Sequence, residues 1–406
     1  MLSIITSIIY ATVASFLALA IIIFPDQSFE ASIRGLNLWL EIVFPSLLPF
    51  FIVAELLLAF GVVKFIGVLL DPLMRPLFNV PGAGGVVMGM GLVSGYPSGA
   101  KISARLRQEN VITKTEAERL VAFTNASNPL FIFGAIAIGF FHDPKIGLLI
   151  AVCHYSACIL VGLCMRFYKH SEKKEETTTK QERGFRGSTV GRALSALHNH
   201  RKSNSEPLGK ILGDAVMSSI QTLVMIGGFI ILFSVLNKLL FLTGVSSFFA
   251  TSIEKILKAL SQPTELALPL LSGVFEITLG AQMIAQVDHA TLLAQVILVS
   301  GILAFNGLSI HSQVASILAR TDIRFAPYFI GRLLHIFFAV ILVSILFKPL
   351  YVERTILSPS DIPVSTKTEP ENFSTITLEW LHQFGPLITM GTILIACVIL
   401  LKQKSH

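Results

Sequence analysis

The chain has 406 residues, of which 53% are hydrophobic and only 14% charged, and its mean hydropathy is +0.73. Soluble domains carry about 25% charged residues, so the composition excludes a water-soluble globular protein, and the length suits roughly eight to ten membrane spans plus loops. No G-x-x-x-x-G-K-S/T phosphate loop occurs, which argues against an ATP-driven pump within the chain; Cys153, Cys158, Cys164 and Cys397 lie in apolar runs without C-x-x-C or Cys/His metal spacing and read as buried small hydrophobes.

The first run, MLSIITSIIYATVASFLALAIIIFPD, is longer than the ~7–15 apolar residues of a signal peptide and has no charged leader. It predicts an uncleaved transmembrane helix over 2–24. Residues 27–45, QSFEASIRGLNLWLEIVFP, are amphipathic and predict an interfacial helix on the outer face with Trp39 at headgroup level. Apolar runs predict further helices over 42–63, 118–141, 145–168, 213–242, 291–319, 326–347 and 379–401. Two stretches between them, 82–106 and 264–287, are apolar but interrupted by glycine and small polar residues, and each predicts a hairpin rather than a straight span. Before the 118–141 helix, Thr113-x-x-Glu116 and Thr115-x-x-Glu118 both have the spacing of a capping box.

Loop charges orient these elements. Residues 169–210 hold ten lysines and arginines, including the polar tract EKKEETTTKQERG, and predict a disordered cytoplasmic linker. Arg320, Arg324 and Arg332 place the 320–332 loop on the same side, whereas Glu353, Asp361, Glu369 and Glu371 place 348–378 outside. The 42–63 helix then ends inside and the 118–141 helix starts inside, so the 82–106 hairpin is re-entrant, with SGYPSG at its tip. Ser94-Gly95 recurs as Ser272-Gly273, and the same offset of 178 residues carries Asn128 (Asn-Pro) onto Asn306 (Asn-Gly). Order and spacing together predict an internal duplication, inverted because the two asparagines lie on helices of opposite direction. The domain reading is a first repeat (1–168), the linker (169–210), an inverted second repeat (211–347), an outer loop (348–378) and a C-terminal transmembrane helix (379–406).

Polar groups at membrane depth are the candidate solute- and ion-binding residues. At the first hairpin tip these are Ser94, Gly95, Tyr96, Ser98 and Gly99, whose backbone groups either replace water around a ligand or only make a tight turn. Lys101 either snorkels to the cytoplasmic interface or pairs with an acid or an anion. Glu276, near the second tip, and Glu55 are protonatable or cation-binding candidates, or structural carboxyls. Asn125, Ser127, Asn128, Asn306, Ser309, His311 and Gln313 mark the two helix breaks, as helix caps, as ligand contacts or as both.

GLVSGYPSGAK (91–101), FTNASNPLFIFGAIAIGFF (123–141) and FNGLSIHSQV (305–314) resemble the YlbJ-type sporulation integral membrane proteins of endospore-forming Firmicutes. These fall within the nucleoside-recognition Gate-domain group, beside the spore maturation proteins, the ferrous iron permease and the concentrative nucleoside transporters. The resemblance implies an all-α, polytopic bacterial cell-membrane protein with two re-entrant hairpins and two broken helices, needed for endospore formation and associated with cortex assembly. Asn306-x-x-Ser309 matches the pattern on the second broken helix of the nucleoside transporters, and Glu276 stands where an acid would hold the ribose. SGYPSGAK lacks the glutamine and acid with which those transporters read a nucleoside.

The expected function is secondary transport of a small polar or anionic solute, with a coupling cation as a possible companion, in spore-envelope construction. The rival is a non-transporting scaffold for cortex-synthesis proteins. An intramembrane enzyme is not expected, because no acid/base or Ser/His pair has usable spacing. Neither a cofactor nor nucleic acid is expected; the expected partners are the lipid bilayer and either a second copy or other sporulation membrane proteins.

Overall fold

The computed structural model describes residues 2–169, 189–203 and 206–353, which form helices and their connections with no strand among them. In chain order the helices are α1 (Leu2–Ile23), α2 (Pro25–Leu38), α3 (Phe44–Ala59), α4 (Val62–Phe78), α5 (Ala83–Ser94), α6 (Ser98–Gln108), α7 (Lys114–Phe123), a π-type helix (Leu130–Phe140), α8 (Pro144–Met165), α9 (Thr189–Ser203), α10 (Leu208–Leu242), α11 (Val245–Ala259), α12 (Ala267–Phe275), α13 (Ile277–Ala285), α14 (Leu292–Phe305), α15 (Gly307–Leu318) and α16 (Phe325–Phe347). Four described segments are long and apolar enough to cross a membrane, or six if each of two bent pairs counts as one. Residues 170–188 and 204–205 of the linker, the 348–378 loop beyond residue 353 and the C-terminal helix over 379–401 lie outside the described residues.

The helices are apolar outward and partly polar inward, as a lipid solvent requires. Along α16, Ile330, Leu333, Phe337, Ile341 and Ile345 form an exposed stripe at helical spacing, while Tyr328, Arg332 and His335 are fully buried. α16 packs against α7, α8 and α14 at the centre of the largest core cluster.

Each glycine-rich stretch folds as a helix, a break and a second helix packed back on the first. In the first, a Cβ on Gly91 or Gly99 would run into the Thr124 carbonyl, so only glycine lets α5 and α6 press on the following segment. In the second, Gly273 and Gly280 bring α12 and α13 together backbone to backbone. A hairpin followed by a broken helix thus occurs twice, α5–α6 before α7 and α12–α13 before α14. Thr113, not Thr115, caps α7: its hydroxyl accepts from Glu116 N at 3.2 Å while the Glu116 carboxylate accepts from Thr113 N at 2.9 Å.

Several expectations are corrected. The linker is not disordered throughout, because 189–203 forms α9, which buries Ala193 and Ala196 and packs against α4. Trp39 packs on protein: its ring covers Gly227 near the middle of α10 and its indole donates to the Leu223 carbonyl at 2.8 Å. Gly35 brings α2 against α10 just as closely, so one face of the amphipathic segment packs on protein while Phe29 and Ile33 remain exposed. Cys164 is exposed rather than buried. The amphipathic helix α11 was not foreseen, since its apolar residues alternate with Glu254, Lys255 and Lys258.

Candidate functional site

The two broken helices meet the two hairpin tips. At the first break the chain is unwound over 124–128, where Pro129 removes a backbone donor and disfavours helix at Asn128. The Asn128 side chain mends both sides: Oδ1 accepts from Phe131 N at 2.8 Å, capping the π-type helix, and Nδ2 donates to the Ser94 carbonyl at 3.2 Å. Gly95, at φ +82°, lies directly under Asn128.

The second break is made by two successive left-handed residues, Asn306 (φ 80°) and Gly307 (φ 62°), a conformation that asparagine and glycine tolerate best. Gly307 rests on the Gly273 and Phe275 carbonyls of the second hairpin. Asn306 Nδ2 donates to the Tyr328 hydroxyl at 3.1 Å. The Tyr96 hydroxyl, from the first tip, donates to the Leu303 carbonyl at 2.8 Å, and His311 Nε2 lies 2.8 Å from the Phe305 carbonyl, to which it donates.

Where these elements converge lies a cavity of about 580 Å³, within the roughly 300–1,000 Å³ of small-molecule sites. Gly95, Tyr96, Ser127, Asn128, Glu276, Ser309 and Gln313, all sequence candidates, line it, among apolar side chains including Phe131, Ile226, Ile230 and Ile310. Glu41 and Thr278 line it as well and were not foreseen. Among the described residues its lining includes two carboxylates and no lysine or arginine. Glu276 does not stand alone: it caps α13, accepting from Thr278 N at 3.1 Å and Leu279 N at 2.9 Å.

The other candidates sit outside this lining. Ser94 offers its carbonyl to Asn128, Gly99 packs on Thr124, and the buried Ser98 hydroxyl has no hydrogen bond. The Asn125 amide makes no hydrogen bond of ordinary geometry. Asn306 faces Tyr328, and His311 is boxed by Phe305, Phe325, Tyr328 and Phe329. Lys101 does not reach Glu276 and pairs instead with the acid Glu55. Its Nζ lies 3.1 Å from Glu55 Oε1, off the direction of a full hydrogen bond, and 4.6 Å over the Phe51 ring. The Glu55–Lys101 pair lines a second cavity of about 390 Å³ with Arg105, Gln108, Ser218, Gln221 and Arg320.

Arg332 was misjudged as a loop charge. It lies two turns inside α16, fully buried. Its Nη1 donates to the Asn125 carbonyl at 2.7 Å and to His335 Nδ1 at 3.0 Å, and Nη2 donates to the Ala122 carbonyl. Gly331, whose Cβ would strike Ala122, permits this approach. The signal was in the sequence: Gly331, Arg332 and His335 share one face of an apolar helix.

The statement that no Cys/His spacing exists is also corrected, since His154 and Cys158 share a face of α8 and cluster with His335, ligand atoms within 4.8 Å. The hydrogen bonds oppose a metal there. His154 Nε2 accepts from Ser127 N at 3.0 Å, and His335 accepts from Arg332 while its Nε2 donates to the His154 carbonyl at 3.0 Å. The lone pair of each neutral imidazole is therefore taken, and a guanidinium stands beside one of them.

Fold and cavity together define a helical, multi-span membrane protein, and residues 40–143, which contain the first hairpin and first break, match the Gate family, described as nucleoside recognition. The chain is 53% identical over 350 residues to the sporulation integral membrane protein YlbJ of Bacillus subtilis (strain 168), covering 86% of this chain and 85% of that protein. It belongs to that family of integral membrane proteins. No solved structure matches it.

Proposed function

We propose that the protein serves spore formation as a secondary transporter of a small polar or anionic solute, at the stage of cortex assembly. One observation carries the reading: a single solute-sized cavity is lined at once by both hairpin tips and both broken helices. In a membrane, irregular backbone is tolerated where it lines a cavity, and paired broken helices at such a cavity are the architecture of alternating access. Asn128, Ser309 and Gln313 supply donors and acceptors, and the apolar walls supply shape. A bare anion would be repelled by Glu41 and Glu276, so a negatively charged solute enters with a proton or a cation beside it. The cationic second cavity, with Lys101, Arg105 and Arg320, suits attraction of an anion to the bundle's cytoplasmic end.

The test is apolar substitution inside the cavity. Ser309→Leu and Gln313→Leu are expected to abolish heat-resistant spores at normal membrane abundance. Full heat resistance in both, with equal protein by immunoblot, would instead favour a scaffold for cortex-synthesis proteins, which has no use for a polar cavity.

A further inference from the structure

An unwound helix in a membrane frees carbonyls at the negative end of its first half, and such ends commonly coordinate an inorganic cation. In this protein two of the freed carbonyls at each break are already held from within. At the second break, Leu303 is taken by the Tyr96 hydroxyl and Phe305 by His311. At the first, Ala122 and Asn125 are taken by the guanidinium of Arg332.

Arg332 is an unusual donor for that place. It is fully buried, and among the described residues no carboxylate pairs with it. Its remaining neighbours are the neutral acceptor His335 Nδ1 and the face of Tyr328, 5.6 Å away. A buried cation at membrane depth is costly unless compensated, and the compensation here is the Ala122 carbonyl at the C-terminal end of α7 and the Asn125 carbonyl of the unwound segment after it. The two terminal nitrogens of the guanidinium meet the half-helix end as a bound ion meets its site, while the buried Nε has no hydrogen-bond partner among the described residues.

We propose that Arg332 is a tethered cation that occupies the ion position of the first helix break, so that neither break binds an inorganic cation. A cation that accompanies the solute is then held by cavity carboxylates, not by backbone carbonyls. This inference does not depend on transport, because it concerns the resting protein.

The experiment is thermal unfolding of the purified full chain in detergent, in choline, sodium or potassium chloride at one ionic strength. In a Glu41→Gln, Glu276→Gln background, which removes the cavity carboxylates and keeps Arg332, the midpoint is expected to be the same in all three. Arg332→Ala is expected to lower the midpoint by about 5 °C or more, and to regain part of the loss with sodium, or with guanidinium at a low, non-denaturing concentration, but not with choline. A midpoint raised by sodium or potassium over choline in that carboxylate-free background would overturn the proposal. So would an Arg332→Ala protein whose loss no small cation relieves. If Arg332→Ala yields no folded protein, Arg332→Lys and Arg332→Gln decide: the proposal requires the lysine variant to be clearly the more stable, and equal midpoints contradict it.

Discussion

Lys101 and Glu55 compensate each other inside the bundle, with side chains only 14% and 13% exposed and the Ser218 hydroxyl donating to the carboxylate at 3.0 Å. Removing one partner strands the other. Lys101→Met and Glu55→Gln are each expected to cost about 3 kcal/mol, and the double substitution much less than their sum. Chemical unfolding of the four proteins measures the coupling; additive losses would show that the two groups act separately. That both residues mattered was legible from charges standing in apolar runs. Their pairing was not, because Glu55 on α3 and Lys101 on α6 meet only through the fold, and Glu276 drew attention as the more deeply placed acid. Arg332 was hidden for a different reason. It lies two turns inside the helix expected over 326–347, but following closely on Arg320 and Arg324 it was counted with the loop arginines.

At the scale of elements, the second hairpin depends on glycine at its crossing. A Cβ on Gly280 would enter the Gly273 backbone, whereas one on Gly89 meets nothing within 4 Å. Gly280→Ala is expected to destabilise by about 1–3 kcal/mol and Gly89→Ala by almost nothing, read as unfolding midpoints side by side. At the end of the first hairpin, Arg107 forms two hydrogen bonds to Asp322, at 3.0 and 2.8 Å, and latches α6 to the loop before α16. Arg107 holds the Asp322 carboxyl below its usual range. A depressed carboxyl pKa contributes stability that is present above the unfolded value of about 3.9 and lost as pH falls through the folded value. The stability gap between wild type and Asp322→Asn should therefore be flat from neutrality to about pH 5 and close in stronger acid; a gap unchanged by acid would contradict the latch. The breaks themselves were legible, because Asn-Pro and Asn-Gly interrupt otherwise apolar helices at 128 and 306. The helices α9 and α11 were not, because a search for apolar runs passes over short amphipathic segments whose buried residues are alanines or alternate with charges.

For the whole molecule, the positive loops predict that the α6–α7 connection is cytoplasmic and the connection before α8 outside. In a background lacking the native cysteines, a cysteine at Glu109 should react with an impermeant reagent only after the membrane is opened, and one at Lys145 in intact cells. The reverse pattern would invert the topology. The central claim is that the cavity between the two hairpins and the two breaks passes a small solute between compartments of the sporulating cell. Untargeted comparison of the small molecules in forespores and mother cells tests it most directly, using strains that carry either the wild type or Ser309→Leu at equal abundance. The account predicts that a small polar or anionic compound changes its distribution between the two compartments when the cavity is altered; identical small-molecule contents in spores that nevertheless fail to mature would contradict it.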